Sequence, residues 1–404
     1  MTAPAPPEVR AIERWLVDEP HTEDAAPFMD ALAGRLTAAG LPLWRLSYAL
    51  MTMHPEVLWR TVQWRAGEPV QVRDQPHARL EDDFYTRSAV ARVRETGAPV
   101  RVRLIAGDLP FPICEDLRRE GGTDYYVLAL PFTNGQMSYV SFATTAAEGF
   151  SAAWLEALDA IRPFLARRLE LESAYYATRA LLAVYLGKNA ARRVSAGAFQ
   201  RGKGELIDAA IWFSDMRDFT ALSDNAPPGR VIEVLDAYFD AVASAIGEHG
   251  GEVLKFIGDA VLAIFPIESA GAQAACRRAL AAAKQALASL AKLNEARDRR
   301  VDSGAGPITP IEPSVPIRIG IALHRGTVVY GNIGARDRLD FTVISSSVNE
   351  ASRLESLCKS LATPLALSAA FAEAAEVDVV DLGEHALKGV KAKLRVFTPR
   401  ELQP

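Results

Sequence analysis

The chain has 404 residues, enough for two domains with separate cores, and 49% of them are hydrophobic against 24% charged, as in ordinary globular proteins. A net charge of −5 gives no electrostatic case for nucleic-acid binding, and three scattered cysteines, Cys114, Cys276 and Cys358, imply neither a disulfide framework nor a zinc site. No stretch approaches the about 18 apolar residues of a membrane span, and the opening Met-Thr-Ala-Pro-Ala-Pro-Pro does not have the pattern of a signal peptide, so a soluble cytoplasmic protein is expected.

Residues 1–25 are Pro-rich and acidic and read as a frayed, flexible leader. A helix is predicted over 28–39, then strand-like runs at 44–53 and 58–65 joined through His54-Pro55. Residues 79–96 read as helical, 100–105 as a short strand and 113–120 as a short helix. Runs 124–132 and 137–143 form a hairpin closed by Thr133-Asn134-Gly135. A lone His before Pro is more often a turn residue than a ligand, so His54 is not assigned to haem or metal. Trp44, Trp59, Trp64, Tyr125 and Tyr126 either line a small-molecule pocket or belong to the core. This α+β order, over residues 26–165, is similar to that of GAF-type sensor domains, which implies an unidentified small-molecule ligand.

Residues 151–186 form one long helical pattern, with Leu158, Ile161, Leu165, Leu169, Leu181, Leu182 and Tyr185 mostly three or four apart. Arg168 and Glu172 interrupt a clean heptad. Such a helix either packs on its own domain or acts as a dimeric signalling helix. The second reading is favoured, because the pattern lies between two folded units. With the basic Lys188, Arg192 and Arg193 beyond Leu186-Gly187, it makes a connector over 151–200.

The C-terminal domain is expected over 204–404. A strand at 208–215 turns into a helix at Phe219; a Pro227-Pro228 break precedes an amphipathic helix over 231–248. An apolar hairpin covers 251–265, and an Ala-rich helix covers 270–294. Residues 297–315 read as a mobile loop, 317–323 and 327–332 as a strand pair, and 341–344 as a strand. Ser347 with Glu350 makes a capping box that starts a helix over 347–357, and Asn349 and Arg353 share one face of it. Residues 377–382, Leu387-Lys388-Gly389 and a strand at 395–398 close an α/β sandwich.

Two stretches carry chemistry. Asp259 sits in the hairpin turn Ile257-Gly258-Asp259, between strands read as too apolar to lie outside a core; Asp215 ends the apolar run Ala209-Ala210-Ile211-Trp212-Phe213-Ser214. A carboxylate fixed at a core edge needs a partner, and two such carboxylates suggest a Mg²⁺ site for phosphoryl chemistry. The backbone amides of Arg217 to Phe219, leading into a helix, suit phosphate oxygens.

Six blocks occur in this order: Trp212-Phe213-Ser214-Asp215-Met216-Arg217-Asp218-Phe219-Thr220, His249-Gly250-Gly251-Glu252-Val253-Leu254-Lys255-Phe256-Ile257-Gly258-Asp259, Tyr330-Gly331-Asn332-Ile333-Gly334, Phe341-Thr342-Val343-Ile344, Val348-Asn349-Glu350-Ala351-Ser352-Arg353-Leu354-Glu355 and Leu387-Lys388-Gly389. Together they resemble the class III nucleotidyl cyclase catalytic domain across residues 205–400. The resemblance implies a ferredoxin-like domain working as a head-to-tail homodimer on ATP, with cyclic AMP and pyrophosphate as products. Asp215, Asp259 and Met216 would form the site for two Mg²⁺ ions, with Mn²⁺ as a substitute. Phe219 and Thr220 would meet the phosphates, and Lys388 would neutralise the terminal ones. Asn349 would orient the ribose and Arg353 stabilise the charged phosphorus centre, both from the partner chain. Lys255 and Thr342 match the base-selecting pattern associated with adenine, where guanylyl cyclases typically carry Glu and Cys.

The sequence departs from the family pattern at Ser345-Ser346, where Gly followed by Asp or Asn is usual. That substitution puts loop geometry and turnover rate in question. A cyclase-like interaction protein with a disabled site and a guanylate cyclase are the competing readings. The Gly-Gly-Asp/Glu-Glu-Phe turn of diguanylate cyclases is absent.

Overall fold

The computed structural model describes residues 7–21, 24–52, 54–77, 83–105, 107–302, 316–386 and 393–403, and the chain divides into two units, Met1–Val184 and Tyr185–Pro404. The boundary falls inside the connector expected over 151–200.

In the first unit, α1 (Pro7–Asp18) and α2 (Ala25–Ala38) precede β1 (Arg45–Met51), β2 (Val57–Arg65) and β3 (Glu68–Pro76). Then come α3 (Asp83–Thr86), α4 (Ala89–Thr96), β4 (Val100–Arg103), α5 (Pro112–Arg119), β5 (Asp124–Pro131) and β6 (Met137–Thr144). The strands form one antiparallel sheet in the order β3-β2-β1-β6-β5-β4. Period-2 alternation sorts its residues. Leu46, Tyr48 and Leu50 of β1 and Tyr126, Leu128 and Leu130 of β5 join a core shared with α1, α2 and α6 (Ala152–Leu186). Tyr125, Val127 and Ala129 face a second core with Ala89, Val93, Cys114 and Leu117 from α4 and α5.

Residues 7–18 are not a frayed leader. Val9, Ile12 and Leu16 recur at spacings of three and four and are buried with Trp15, whose ring stacks on Phe28. Proline and acid content hid this stripe. Leu16→Ala should therefore cost about 2–5 kcal/mol in chemical denaturation of the first unit. A cost below about 0.5 kcal/mol, typical of surface sites, would restore the leader reading.

Two further differences concern local signals. β3 was not anticipated, because Glu68–Pro76 is a polar edge strand with little apolar alternation. The helix expected over 79–96 is described from residue 83 and breaks into α3 and α4, with the Ser88 hydroxyl accepting from the Ala91 N–H.

The first half of α6 packs within its own unit. Arg168 and Glu172, which break the heptad, form a buried ion pair at 2.8 Å, and Arg168 also donates to the Glu19 and Pro20 carbonyls. Beyond Ser173 no residue of α6 is buried. Gly187, with φ 83, separates it from α7 (Lys188–Ser195).

The second unit continues with β7 (Gly204–Met216), α8 (Phe219–Asn225), α9 (Pro228–Glu248), β8 (Glu252–Ile257), β9 (Ala260–Pro266), α10 (Gly271–Asp302) and β10 (Ile319–Gly334). β7-α9-β8-β9-α10-β10 is a βαββαβ unit, and its strands lie in the order β10-β7-β9-β8, the ferredoxin-like arrangement expected. β11 (Leu339–Ile344) pairs with β10. Then follow α11 (Ser346–Ser360), β12 (Leu365–Ser368), α12 (Ala369–Ala375), β13 (Val379–His385) and β14 (Leu394–Pro399), whose strands extend the other edge. One sheet face packs on Val234, Tyr238, Val242 and Ile246 of α9 and on Cys276, Ala279, Ala283 and Leu290 of α10. The opposite face covers Ala190 of α7 and Ala351 of α11.

Several expectations are corrected here. Residues 319–334 are one strand, not a pair: Gly326 makes no turn, and a Cβ there would collide with the Ser347 side chain of α11. α10 runs through Asp302, into the expected loop, and 303–315 lie outside the described residues. The cap of α11 is Ser345, not Ser347; its hydroxyl accepts from Val348 N–H at 3.3 Å. β12 and α12 were not anticipated. Finally, β8 is an edge strand, with Phe256 49% and Ile257 48% exposed, so only β9 is core on both faces.

Candidate active site

β7 is held rigid from behind. Trp212 Nε1 donates to Ser214 Oγ at 3.0 Å, and Ser214 Oγ lies 3.1 Å from the Tyr238 hydroxyl, all three side chains being fully buried. Alternation then turns Asp215 to the α11 side of the sheet. In the β7–β9 register Ser214 stands opposite Val261, which carries Asp215 to the turn holding Asp259. The two carboxylates lie close enough to act on each other. Burial, then Asp259, pushes Asp215 up to about 6, while the Met216 N–H pulls the other way. Asp215 Oδ1 is buried with no hydrogen-bond partner.

An orphaned carboxylate oxygen beside a second carboxylate is a site short of positive charge. The donor set therefore fits a hard divalent cation. Met216 could contribute only through its main chain, because its side chain is buried in the core. Among the described residues no group of three or more His, Cys, Asp or Glu side chains clusters for a metal.

A second pair, absent from the sequence reading, borders the first. Arg217 Nη2 lies 3.0 Å from Glu355 Oε1 of α11, and Glu355 is almost wholly buried. Burial raises Glu355 to about 7, against the opposing pull of Arg217. Gly320, opposite Asp215 in the sheet, leaves room for this pair: a Cβ there would overlap both Arg217 and Glu355. Arg217 and Glu355 are over a hundred positions apart, so no local signal could have revealed their pairing.

Lys255 points from β8 to β11, with Nζ 2.5 Å from Asp340 Oδ2. Thr342, two residues along β11, shares that face by alternation and is buried. Phe219 and Thr220 open α8, and Asp218 before them has φ 61 and pairs with Arg318 at 3.1 Å and Lys359 at 3.4 Å. Asn349 and Arg353 stand exposed on α11, without side-chain partners among the described residues. Glu355, by contrast, lies on the buried side of that helix. Lys388 lies outside the described residues.

Ser345 has φ −173 and ψ 172, extended backbone that any residue adopts. Serine here therefore carries no conformational penalty for the lost glycine.

Residues 204–398 match the family model described as adenylate and guanylate cyclase catalytic domain. Adenylate cyclase 1 of Rhizobium meliloti is 33% identical over 192 residues, 46% of this chain and 26% of that protein. The adenylate cyclase of Anabaena cylindrica is 37% identical over 149 residues, 37% of this chain and 27% of that protein. The chain thus spans about a quarter of the length of these relatives, at 26% and 27%. Among solved structures, a bacterial light-regulated adenylyl cyclase is 30% identical with TM-score 0.39, the match covering 49% of this chain and 93% of that one. The adenylyl cyclase CyaB from P. aeruginosa is 26% identical with TM-score 0.41, covering 50% and 99%.

Proposed function

Because residues 204–398 belong to the adenylate and guanylate cyclase catalytic-domain family, we propose that the chain converts ATP to 3′,5′-cyclic AMP and pyrophosphate in a homodimer. The observation that carries this reading is the Asp215–Asp259 pair with its orphaned buried oxygen. Asp215, Asp259 and the Met216 carbonyl would hold two Mg²⁺ ions, or Mn²⁺ in their place, which when bound acidify the ribose 3′-hydroxyl and neutralise phosphate charge. Phe219 and Thr220 would seat the phosphates with backbone N–H groups, and Lys388 would meet the terminal ones. Asn349 would orient the ribose and Arg353 offset charge at phosphorus, each across the dimer. Their exposed, unpartnered state within one chain supports that role.

The test is purified chain with ATP or GTP and each metal, assayed for cyclic nucleotide and pyrophosphate. Absence of both products overturns the proposal. The buried free thiols of Cys114, Cys276 and Cys358 suit a cytoplasmic setting, and no helix among the described residues is long and apolar enough to cross a membrane.

Lys255 and Thr342 would select adenine. Lys255→Glu with Thr342→Cys should cut ATP turnover and raise the relative use of GTP, since unpaired polar groups in a site penalise the wrong substrate. A carboxylate at position 255 would face Asp340, so Asp340→Asn is added in a control variant. An ATP-to-GTP ratio unchanged in both variants removes these residues from base choice.

The first unit would regulate the second as a sensory domain, through α6 and α7. Glu252, at the start of the hairpin that carries Asp259, supports such coupling. Its carboxylate accepts from Ala190 N–H at 3.2 Å and from Asn189 Nδ2 at 3.4 Å, both on α7, and from the Tyr330 hydroxyl at 2.8 Å. A shift of α7 would then be passed to β8 and β10 through these hydrogen bonds.

A further inference from the structure

In the first unit, one face of β1 and its neighbours carries Arg45, Ser47, Thr61, Tyr125 and Ser141 instead of the aliphatic residues of the other face. The residues line a cavity of about 210 Å³ between the sheet and α3, α4 and α5. Arg45 is 7% exposed. Its Nη2 donates to Gln63 Oε1 at 2.7 Å, but Nη1 is buried and has no partner. No carboxylate among the described residues pairs with it. Arg65, its cross-strand neighbour, is engaged with Glu120 at 2.6 Å and Glu68 at 3.5 Å. Burial accordingly pushes the Arg45 guanidinium down.

A buried guanidinium without a counter-charge is costly unless something supplies the anion. We propose that the cavity beside Arg45 binds a small organic carboxylate with a planar, apolar body. Nη1 is the buried guanidinium nitrogen left without a partner, and the neighbouring donors are neutral hydroxyls, which suits a single carboxylate better than a doubly charged phosphate. Trp59, Tyr85 and Tyr139 line the rest, with the Trp59 and Tyr85 rings 4.8 Å apart, so the body of the ligand meets aromatic surfaces. The volume is that of a benzoate- or indole-sized molecule, not a nucleotide. The inference concerns the first unit alone and stands whether or not the second turns over ATP.

The probes are benzoate, phenylacetate and indole-3-acetate, each against its neutral amide, titrated into the full chain by calorimetry and by thermal shift. At least one carboxylate should bind saturably, with its amide about tenfold weaker or worse. Arg45→Met should weaken that carboxylate by about tenfold or more while leaving the unliganded chain as stable as before, or more so, since an unpaired buried charge has gone. If no carboxylate binds, or the amide matches it, or Arg45→Met leaves binding unchanged, the proposal is overturned. Should Arg45→Met not fold, Ala49→Leu fills the cavity and leaves Arg45 in place. Binding must then vanish, and its persistence overturns the assignment equally.

Discussion

Asp259→Ala chains should fold and pair like the parent yet lose nearly all cyclase activity. The effect is large because the bordering carboxylate, Glu355, is held against Arg217, so the lost charge has no substitute. A loss of about 10²–10³ in rate is the least expected, by analogy with removal of one preorganised charge-stabilising group. Stability should move differently. Without metal, Asp259 only repels a buried neighbour whose carboxyl it helps raise to about 6, so its removal should leave the metal-free chain unharmed. Mg²⁺ should raise the melting temperature of the parent but hardly that of the variant, because ligands stabilise only the state that binds them. Retention of more than half the parent rate would show that Asp259 holds no catalytic metal.

The aspartate pair was legible because its signal is local: an apolar run that stops at a carboxylate needs only neighbouring residues to be noticed. The helices and hairpins with strong periodicity were legible for the same reason. The misreadings came from local signals with nonlocal meaning. Gly326 looks like a turn but serves the approach of α11, and Ser347–Glu350 matches a capping box although the extended backbone falls at Ser345, where β11 has just ended. The polar sequence of β3 qualifies as a strand only because β2 offers it an edge. Lys255 with Asp340, Arg217 with Glu355 and the lone guanidinium of Arg45 depend on sheet register and helix packing. No spacing along the chain encodes them.

Mixing two inactive variants should restore activity. Asp215 and Asp259 lie together at strand ends, whereas Asn349 and Arg353 stand on the exposed face of α11, away from the buried side that holds Glu355 beside Arg217. On the proposed reading one chain would offer a metal-binding half and a separate charge-offsetting half, and a head-to-tail pair would bring the halves of opposite chains together. Arg353→Ala alone should cost about 3–4 kcal/mol of transition-state stabilisation, or about 10²–10³ in rate. Asp259→Ala and Arg353→Ala chains should each be nearly inactive. In a mixed dimer one site carries both lesions and the other carries none. Random exchange makes half of the dimers mixed, each with one intact site in two, so activity should climb to about a quarter of the parent value for a twofold-symmetric pair. Differently tagged chains that co-purify establish that exchange has occurred. If it has, and activity stays at the level of the single variants, each site is built from one chain, and Arg353 does not act across the interface.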